Sequence, residues 1–255
     1  MMARPVADAP EWRFLWNAKQ LLSPALPGES AAPSRARSPL PDMISSSPAC
    51  ARRTPCSSFA GISPQIAGSG PSPFCGDIGD FETVRSLFSR IRRLDVLVNN
   101  AGISHVGLLS DMTPEEWRRI MATNLDGCFY TCKLAVPLMV HEKRGKILNI
   151  SSIWGNAGAS METAYSASKG AVNSLTKALA KELAPSNIQV NAIACGVIDT
   201  DMNRCFSEEE MQALIDEIPA DRLGTPEEVA LLALQLTQSP AYLTGQVITL
   251  DGGFL

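Results

Sequence analysis

Short apolar runs alternate with longer amphipathic stretches from about Cys75 to the end of the chain. The runs have the length of strands buried on both faces, and the stretches between them have helical periodicity. Strands that alternate with helices in this way form a parallel sheet covered by helices. The pattern therefore predicts one α/β domain over residues 75–255.

The predicted elements follow one another with short connections. The strands are expected at Leu94 to Val98, Lys146 to Ile150, Ile188 to Ile193 and Gln246 to Leu250. The helices are expected at Asp80 to Arg93, Pro114 to about His141, about Ala164 to Leu183, and after Ser207 and Thr225. Thr113 with Glu116, and Ser207 with Glu210, have the spacing of capping boxes, which fixes two helix starts.

Residues 1–74 have a different composition. They hold 12 of the 18 prolines. Seven Lys/Arg against four Asp/Glu give them a net charge of +3, so residues 75–255 carry −7 and the whole chain has a net charge of −4. Proline removes a backbone donor and fixes φ, which disfavours helices and central strands. We expect a disordered segment with one amphipathic helix from Glu11 to Leu22. The alternative is that residues 1–74 serve as a disordered arm that binds a partner.

Composition excludes several classes of function. The net charge of −4 disfavours a nucleic-acid partner. The sequence shows no run of 18 apolar residues and no secretory leader, so we expect a cytoplasmic protein without membrane contact. Seven scattered cysteines without a CxxC pair indicate reduced thiols, and two histidines offer little to a metal. We expect no metal, and we interpret Cys195 and Cys205 as small apolar residues rather than redox groups.

A set of polar residues lies at the predicted carboxyl ends of the strands. Tyr165 and Lys169 are four residues apart, so on a helix they share one face. That pair alone is typical of many solvated helices. Ser152 ends one predicted strand and Asn99 ends another, and ligands of open α/β sheets bind at these ends. Together they indicate a site.

These motifs resemble the short-chain dehydrogenase/reductase family, and most closely its 3-oxoacyl-[acyl-carrier-protein] reductase type. The resemblance covers residues 76–255 and rests on ordered motifs at family-like spacings. They are Gly76-Asp77-Ile78, Asn99-Asn100-Ala101-Gly102, Thr123-Asn124-Leu125, Ser151-Ser152, Tyr165 with Lys169, Cys195-Gly196-Val197-Ile198-Asp199-Thr200-Asp201-Met202, and Leu250-Asp251-Gly252-Gly253. The resemblance implies a Rossmann-like, doubly wound parallel sheet.

The resemblance also implies the chemistry. Tyr165 would donate a proton to a carbonyl oxygen while a nicotinamide gives hydride to the carbon, and Ser152 would hold that oxygen. Lys169 would bind the nicotinamide ribose, and this cation one turn away and the oxidised nicotinamide would together lower the pKa of the phenol. Asn124 would hold a water of a proton relay. The alternatives for each residue alone are a strand cap, a turn bond or a solvated charge.

The same resemblance implies a cofactor site. Asp77 and Ile78 would lie near the adenine, Asn99 and Gly102 along the adenosine side, Ile198 by the nicotinamide amide, and Thr200 near the phosphates. Tyr165 and Lys169 complete this set. We expect NADP(H) rather than NAD(H), from the closest type alone. The implied partners are a small or carrier-bound 3-oxoacyl substrate, with Lys143, Arg144 and Lys146 as a basic patch, and further copies of the chain in a homotetramer.

The first half of the family's pattern is not recognisable. Such a chain should open with a strand, a glycine-rich turn and a helix that receives the pyrophosphate. Before Cys75 the glycines stand at 28, 61, 68 and 70 and form no such turn. We hypothesise an altered coding sequence, testable by sequencing upstream of the Cys75 codon. The first βαβ half would then be missing or replaced, with weak cofactor binding and Leu94 to Val98 left as an unpaired edge. The alternative function is a cofactor-deficient remnant or partner subunit.

Overall fold

The computed structural model describes residues 74–255 and, as backbone only, residues 14–17, 58–59 and 62–63. The strands within these ranges are β1 Phe14–Asn17, β2 Ser58–Phe59, β3 Ile62–Ser63, β4 Phe74–Cys75, β5 Val96–Asn99, β6 Gly145–Ser152, β7 Ile188–Cys195 and β8 Val247–Leu250. The α-helices are α1 Phe81–Phe88, α2 Pro114–Met121, α3 Gly127–Glu142, α4 Trp154–Ala157, α5 Thr163–Leu183, α6 Glu208–Asp216 and α7 Pro226–Gln238.

The main sheet has six strands in the order β3-β1-β5-β6-β7-β8. Strands β1, β5, β6, β7 and β8 run parallel, and β3 pairs antiparallel with β1. Parallel strands need crossover connections, which the helices supply. The prediction of a Rossmann-like α/β domain with a parallel sheet is confirmed.

Side chains on the two faces of the sheet pack into two separate hydrophobic core layers. Leu97, Ile147 and Val190 pack with residues of α1, α3 and α5, whereas Val98, Leu148 and Ile193 pack with residues of α7. Adjacent residues on β5 and β6 therefore point to opposite layers, as the period of a strand requires. Because both faces are covered, these strands are apolar throughout, which is the pattern that the sequence presents.

The register brings the carboxyl ends of the central strands to one edge. Asn17, Asn99 and Asn149 are consecutive partners across β1, β5 and β6, and Ser152 lies opposite Cys195. This edge is where the sequence places its polar set.

The starts of three helices follow their predicted chemistry. Thr113 with Glu116 and Ser207 with Glu210 form complete capping boxes, and Thr225 with Glu228 forms a third. The long helix predicted from Pro114 to His141 is present but interrupted by a π-helical segment at Ala122–Asp126 between α2 and α3. Short α4, by contrast, was not predicted, because four residues carry no helical period.

Two predictions for the first part of the chain are wrong. Phe14–Asn17 is a strand rather than the centre of a helix from Glu11 to Leu22, because pairing in a sheet overrides a short apolar period. As a result β5 has a parallel neighbour, and the predicted unpaired edge at Leu94 to Val98 does not exist. The rest of the predicted disordered segment lies outside the described residues.

The described residues contain no helix that is long and apolar enough to span a membrane. Nor do three or more His, Cys, Asp or Glu side chains in that part of the chain converge on a point where a metal ion would bind.

Candidate active site

Three polar side chains are buried together where β6 ends and α5 begins. Ser152 is the last residue of β6, and Tyr165 and Lys169 lie one turn apart in α5. Their exposed fractions are 5%, 8% and 4%. Burying polar groups is costly unless they are hydrogen-bonded, so each of them needs partners within the site.

The partners connect the three residues. The Ser152 hydroxyl lies close enough to Tyr165 to lower the pKa of the phenol, and it accepts the amide of Trp154 at 3.2 Å. The Lys169 ammonium lies 5.6 Å from the centre of the Tyr165 ring and donates to the carbonyl of Ile150 at 2.8 Å. The structure thus brings together the phenol, the hydroxyl and the ammonium that the sequence singled out.

Asn124 lies in the π-helical segment beside this group. Its Oδ1 accepts the amide of Ile103 at 2.8 Å, and its Nδ2 donates to the Ile103 carbonyl and to the Ser168 hydroxyl, both at 2.9 Å. Such wide turns are frequent at functional sites. Both amide protons of Asn124 are therefore used to fix the loop after β5 and to hold α5.

Burial dominates the electrostatic environment of Tyr165. Burial raises the pKa of Tyr165 above its ordinary value, the Ser152 hydroxyl opposes this, and the negative charge of Glu162 adds to it. In the chain by itself desolvation therefore decides the pKa of Tyr165, and its lowering by Lys169 together with an oxidised nicotinamide stays a prediction. Tyr165 is consequently a protonated phenol at neutral pH, the form that a proton donor needs.

Lys169 and Cys195 influence each other across the sheet edge. Burial lowers the pKa of Lys169, and the thiols of Cys195 and Cys128 partly offset this. Burial also raises the pKa of Cys195 to about 11, with Lys169 acting in the opposite direction. At neutral pH Cys195 is an uncharged thiol that is 9% exposed, as expected of a small apolar residue.

The residues expected on the cofactor side have different surroundings. A Cβ added at Gly102 would lie 3.3 Å from Lys169 Nζ and 3.6 Å from Asn124 Oδ1, so Gly102 lets its backbone approach the site closely. Asn99, by contrast, is turned into the core, where its Oδ1 accepts from Thr131 at 2.7 Å and its Nδ2 donates to Asn149 at 2.9 Å. Only the backbone of Asn99 is left to contact a ligand.

The other predicted cofactor residues surround the same edge. Asp77 is exposed and accepts the amide of Gly79, whereas Ile78 is buried against α3. Ile198 and Thr200 are half-buried beyond β7, and the Ile198 carbonyl accepts Asn203 Nδ2 at 2.6 Å. Their roles stay predictions.

Comparison with known proteins identifies the family. A family profile described as Enoyl-(Acyl carrier protein) reductase matches residues 62–255, most of the chain. The chain belongs to the short-chain dehydrogenase/reductase family. It is 43% identical to a 3-oxoacyl-[acyl-carrier-protein] reductase of Thermotoga maritima over 175 residues, covering 68% of this chain and 71% of that protein.

Two further relatives agree. An uncharacterized oxidoreductase of Bacillus subtilis is 40% identical over 167 residues, covering 65% of this chain and 69% of that protein. The solved structure of a 3-oxoacyl-[acyl-carrier protein] reductase from Brucella melitensis matches with a TM-score of 0.68 at 37% identity and covers 72% of each chain. By family, this short-chain dehydrogenase/reductase is an NAD(P)-dependent oxidoreductase.

The described residues fit the nicotinamide-ribose half of such a cofactor. Lys169 gives one of its three ammonium protons to Ile150, which leaves two to donate to hydroxyl groups. Gly102 leaves the backbone open beside it. The segment after β1, where the phosphate half would be bound, lies outside the described residues, and its sequence has no glycine between Asn17 and Gly28.

Several residues of the site were not found from the sequence. Ser168 links Asn124 to α5 and donates to the Tyr165 carbonyl at 2.7 Å. Ser104 donates to Glu162 at 2.5 Å. Ser168 lies three residues after Tyr165, a spacing that could have identified it, whereas Ser104 and Glu162 are 58 residues apart and no local pattern joins them.

We expect the raised pKa of Tyr165 to weaken the fold in alkali. Below a pH of about 10, the ordinary phenol value, folded and unfolded chains both keep this proton. Above it the unfolded chain loses the proton first, so the free energy of unfolding falls by up to about 1.4 kcal/mol per pH unit until the folded phenol also ionises. Urea unfolding across this range should show a shallower fall for Tyr165→Phe. Equal slopes would contradict the raised pKa, since other alkaline groups are common to both chains.

Close packing of α4 on α5 predicts a second effect. A Cβ at Gly155 would lie 2.7 Å from the carbonyl carbon of Lys169, too close for backbone atoms. Gly155→Ala should lower the free energy of unfolding by about 1–3 kcal/mol and displace Lys169. The control is Gly170→Ala, whose Cβ would lie 3.3 Å from the Gly155 carbonyl oxygen and which gains helix propensity. Equal unfolding midpoints for the two variants would disprove the close approach.

Proposed function

We propose that this chain reduces a 3-oxoacyl thioester, or a related ketone, to the hydroxy compound with Tyr165 as the proton donor. The observation that carries the proposal is the shared burial of Ser152, Tyr165 and Lys169, with the Lys169 ammonium 5.6 Å from the centre of the Tyr165 ring. The relatives named as 3-oxoacyl-[acyl-carrier-protein] reductases support the substrate class.

Proton delivery follows from the state of the phenol. Negative charge develops on the carbonyl oxygen as the carbon is reduced, and a proton held within hydrogen-bond reach lowers that barrier. Tyr165 is protonated at neutral pH because it is buried. Ser152 lies beside it, so a carbonyl oxygen placed between the two hydroxyl groups would accept from both.

The bound nicotinamide supplies the hydride. Lys169 would hold the ribose hydroxyls with its two remaining protons, and Gly102 gives the ribose room. Asn124 keeps the loop after β5 in place because its side chain accepts the Ile103 amide and donates to the Ile103 carbonyl. We expect NADPH to be preferred over NADH, on the strength of the relatives' type, and comparison of the two rates of oxidation tests it.

Carrier recognition would use a smaller basic surface than the sequence suggested. Arg144 Nη2 pairs with Asp95 at 2.6 Å, and Lys146 is 9% exposed and donates to the Ser239 carbonyl at 2.6 Å. Among the three, Lys143 alone is exposed. These residues lie at the start of β6, about 20 Å from Ser152 at ~3.3 Å per residue, so a carrier there would need a long arm to reach the site.

A homotetramer remains part of the proposal. The exposed apolar side chains on α2 and α3 are Trp117, Phe129 and Val140, with exposed fractions of 36%, 46% and 39%. Apolar groups of this size on helix surfaces are common at contacts between subunits. Light scattering of the eluted protein measures the assembly directly.

The second candidate is a chain of the same family that binds the dinucleotide too weakly to turn over in cells. It is favoured by the residues after β1, Ala18-Lys19-Gln20-Leu21-Leu22, which contain no glycine. Backbone amides of a glycine-rich turn at a helix start are what usually bind a pyrophosphate.

The experiment that tests the proposal is reduction of an acetoacetyl thioester by the purified chain. We expect oxidation of NADPH that depends on the thioester and requires millimolar cofactor. No oxidation at any cofactor concentration would reject the reductase and leave the second candidate.

A further inference from the structure

The loop that follows β5 is fastened to the rest of the site at three points. Ile103 bonds Asn124 in both directions. Ser104 donates its hydroxyl proton to the Glu162 carboxylate at 2.5 Å, and the amide of Gly107 donates to the carbonyl of Met161 at 2.8 Å. Two of the three points lie just before α5, so this loop and the start of the Tyr165 helix are held as one unit.

Glu162 occupies the position that connects the loop to the phenol. It precedes α5, its carbonyl accepts the amide of Ser166 at 2.8 Å, and it lies three residues before Tyr165. Met161 before it has φ of 64°, a left-handed conformation that a side chain of this size adopts only where its surroundings impose it. That conformation accompanies the bond from Gly107 to Met161 and the turn of Glu162 toward Ser104.

We propose that Glu162 is a positioning residue which, through its hydrogen bond with Ser104, holds residues 103–107 against the start of α5 and so sets the width of the substrate opening beside Tyr165. This inference rests on the proposed reductase function for its kinetic consequence. The hydrogen bond to a carboxylate is of the stronger, charge-assisted kind, so its loss should free the loop. Val106 and Met161, both exposed, lie on the two segments that these bonds join.

Glu162 also acts on the phenol through its charge. The groups that act on Tyr165 are Ser152, Glu162 and Cys195, with the Lys169 ammonium 5.6 Å from the ring. The carboxylate raises the pKa of Tyr165, so removing the charge without the hydrogen bond should have a distinct signature. The two effects of Glu162 can therefore be separated by substitution.

Four variants of the full chain make this separation. Ser104→Ala removes the hydrogen bond and keeps the charge, Glu162→Gln keeps an acceptor and removes the charge, Glu162→Ala removes both, and the fourth combines Ser104→Ala with Glu162→Ala. KM and kcat are measured with an acetoacetyl thioester. The Tyr165 titration is followed by phenolate absorbance, with Tyr165→Phe subtracted to remove the other two tyrosines.

We expect Ser104→Ala and Glu162→Ala to raise KM about tenfold with kcat changed less than about threefold. Glu162→Gln should restore KM, while both Glu162 variants, and not Ser104→Ala, should lower the pKa of Tyr165. The double variant should be no worse than Glu162→Ala alone. An unchanged KM in Ser104→Ala, or additive effects in the double variant, would overturn the proposal. Should the wild-type chain not reduce the thioester, the proposed function fails, and coupling of the two substitutions in thermal unfolding then decides the inference.

Discussion

Replacing Tyr165 by phenylalanine should lower kcat for reduction of an acetoacetyl thioester by about 10²- to 10⁴-fold, the range typical of a lost general acid. The substitution removes one oxygen from a side chain that is 8% exposed and leaves the ring in place. The carbonyl oxygen would then develop its charge without a proton donor, because Ser152 alone remains beside it. The measurement is NADPH oxidation at saturating thioester.

The control for Tyr165→Phe is its unfolding temperature compared with that of the wild-type chain. At neutral pH the phenol is protonated, so Tyr165→Phe should unfold at nearly the wild-type temperature, and Lys169 should keep its bond to Ile150. A kcat within about threefold of wild type would show that another group delivers the proton.

Dinucleotide affinity should be low. Strand β1 occupies the place beside β5 from which a glycine-rich turn would lead to the pyrophosphate, and the chain has no glycine from Asn17 to Gly28. Losing two hydrogen bonds to a charged phosphate, at about 1.5–3 kcal/mol each, weakens binding on the order of 10²- to 10⁴-fold. Fluorescence titration with NADPH should therefore give a millimolar dissociation constant.

A variant of the chain provides a matched comparison for the affinity of the unaltered chain for NADPH. A variant in which a glycine-rich turn and helix follow β1 should bind NADPH in the micromolar range, with the same Ser152, Tyr165 and Lys169. If the unaltered chain already binds NADPH at micromolar concentration, the phosphate half of the site is formed by other residues, and the second candidate function fails.

The sequence predicted the second part of the fold well, for identifiable reasons. Strands β5 to β8 are apolar because both faces are covered, and α2 and α6 begin at capping boxes that can be read locally. Strand β1 was mistaken for a helix, because four residues in an apolar context gain their conformation from β5 rather than from their own periodicity. The interruption at Ala122–Asp126 has no sequence signal of its own.

The sequence singled out side chains that the structure brings together, but it did not reveal how deeply they are buried. Tyr165, Lys169 and Ser152 were found because local spacing places two of them on one helical face and the third at a strand end. The pKa of Tyr165 was expected to fall beside Lys169 and an oxidised nicotinamide, since a helix spacing reveals the neighbouring ammonium but not how deeply both groups are buried. The bond between Ser104 and Glu162 depends on tertiary structure alone.

The most direct test of the proposed reaction follows the transferred hydride from NADPH into the product. NADPH carrying deuterium at both positions of nicotinamide carbon 4 is supplied at millimolar concentration with an acetoacetyl thioester, and the product is analysed by mass spectrometry. We expect a 3-hydroxybutyryl thioester with one deuterium on carbon 3 from the wild-type chain, and no more than background from Tyr165→Phe. Unlabelled product, or equal labelled product from both chains, would contradict the proposed reaction.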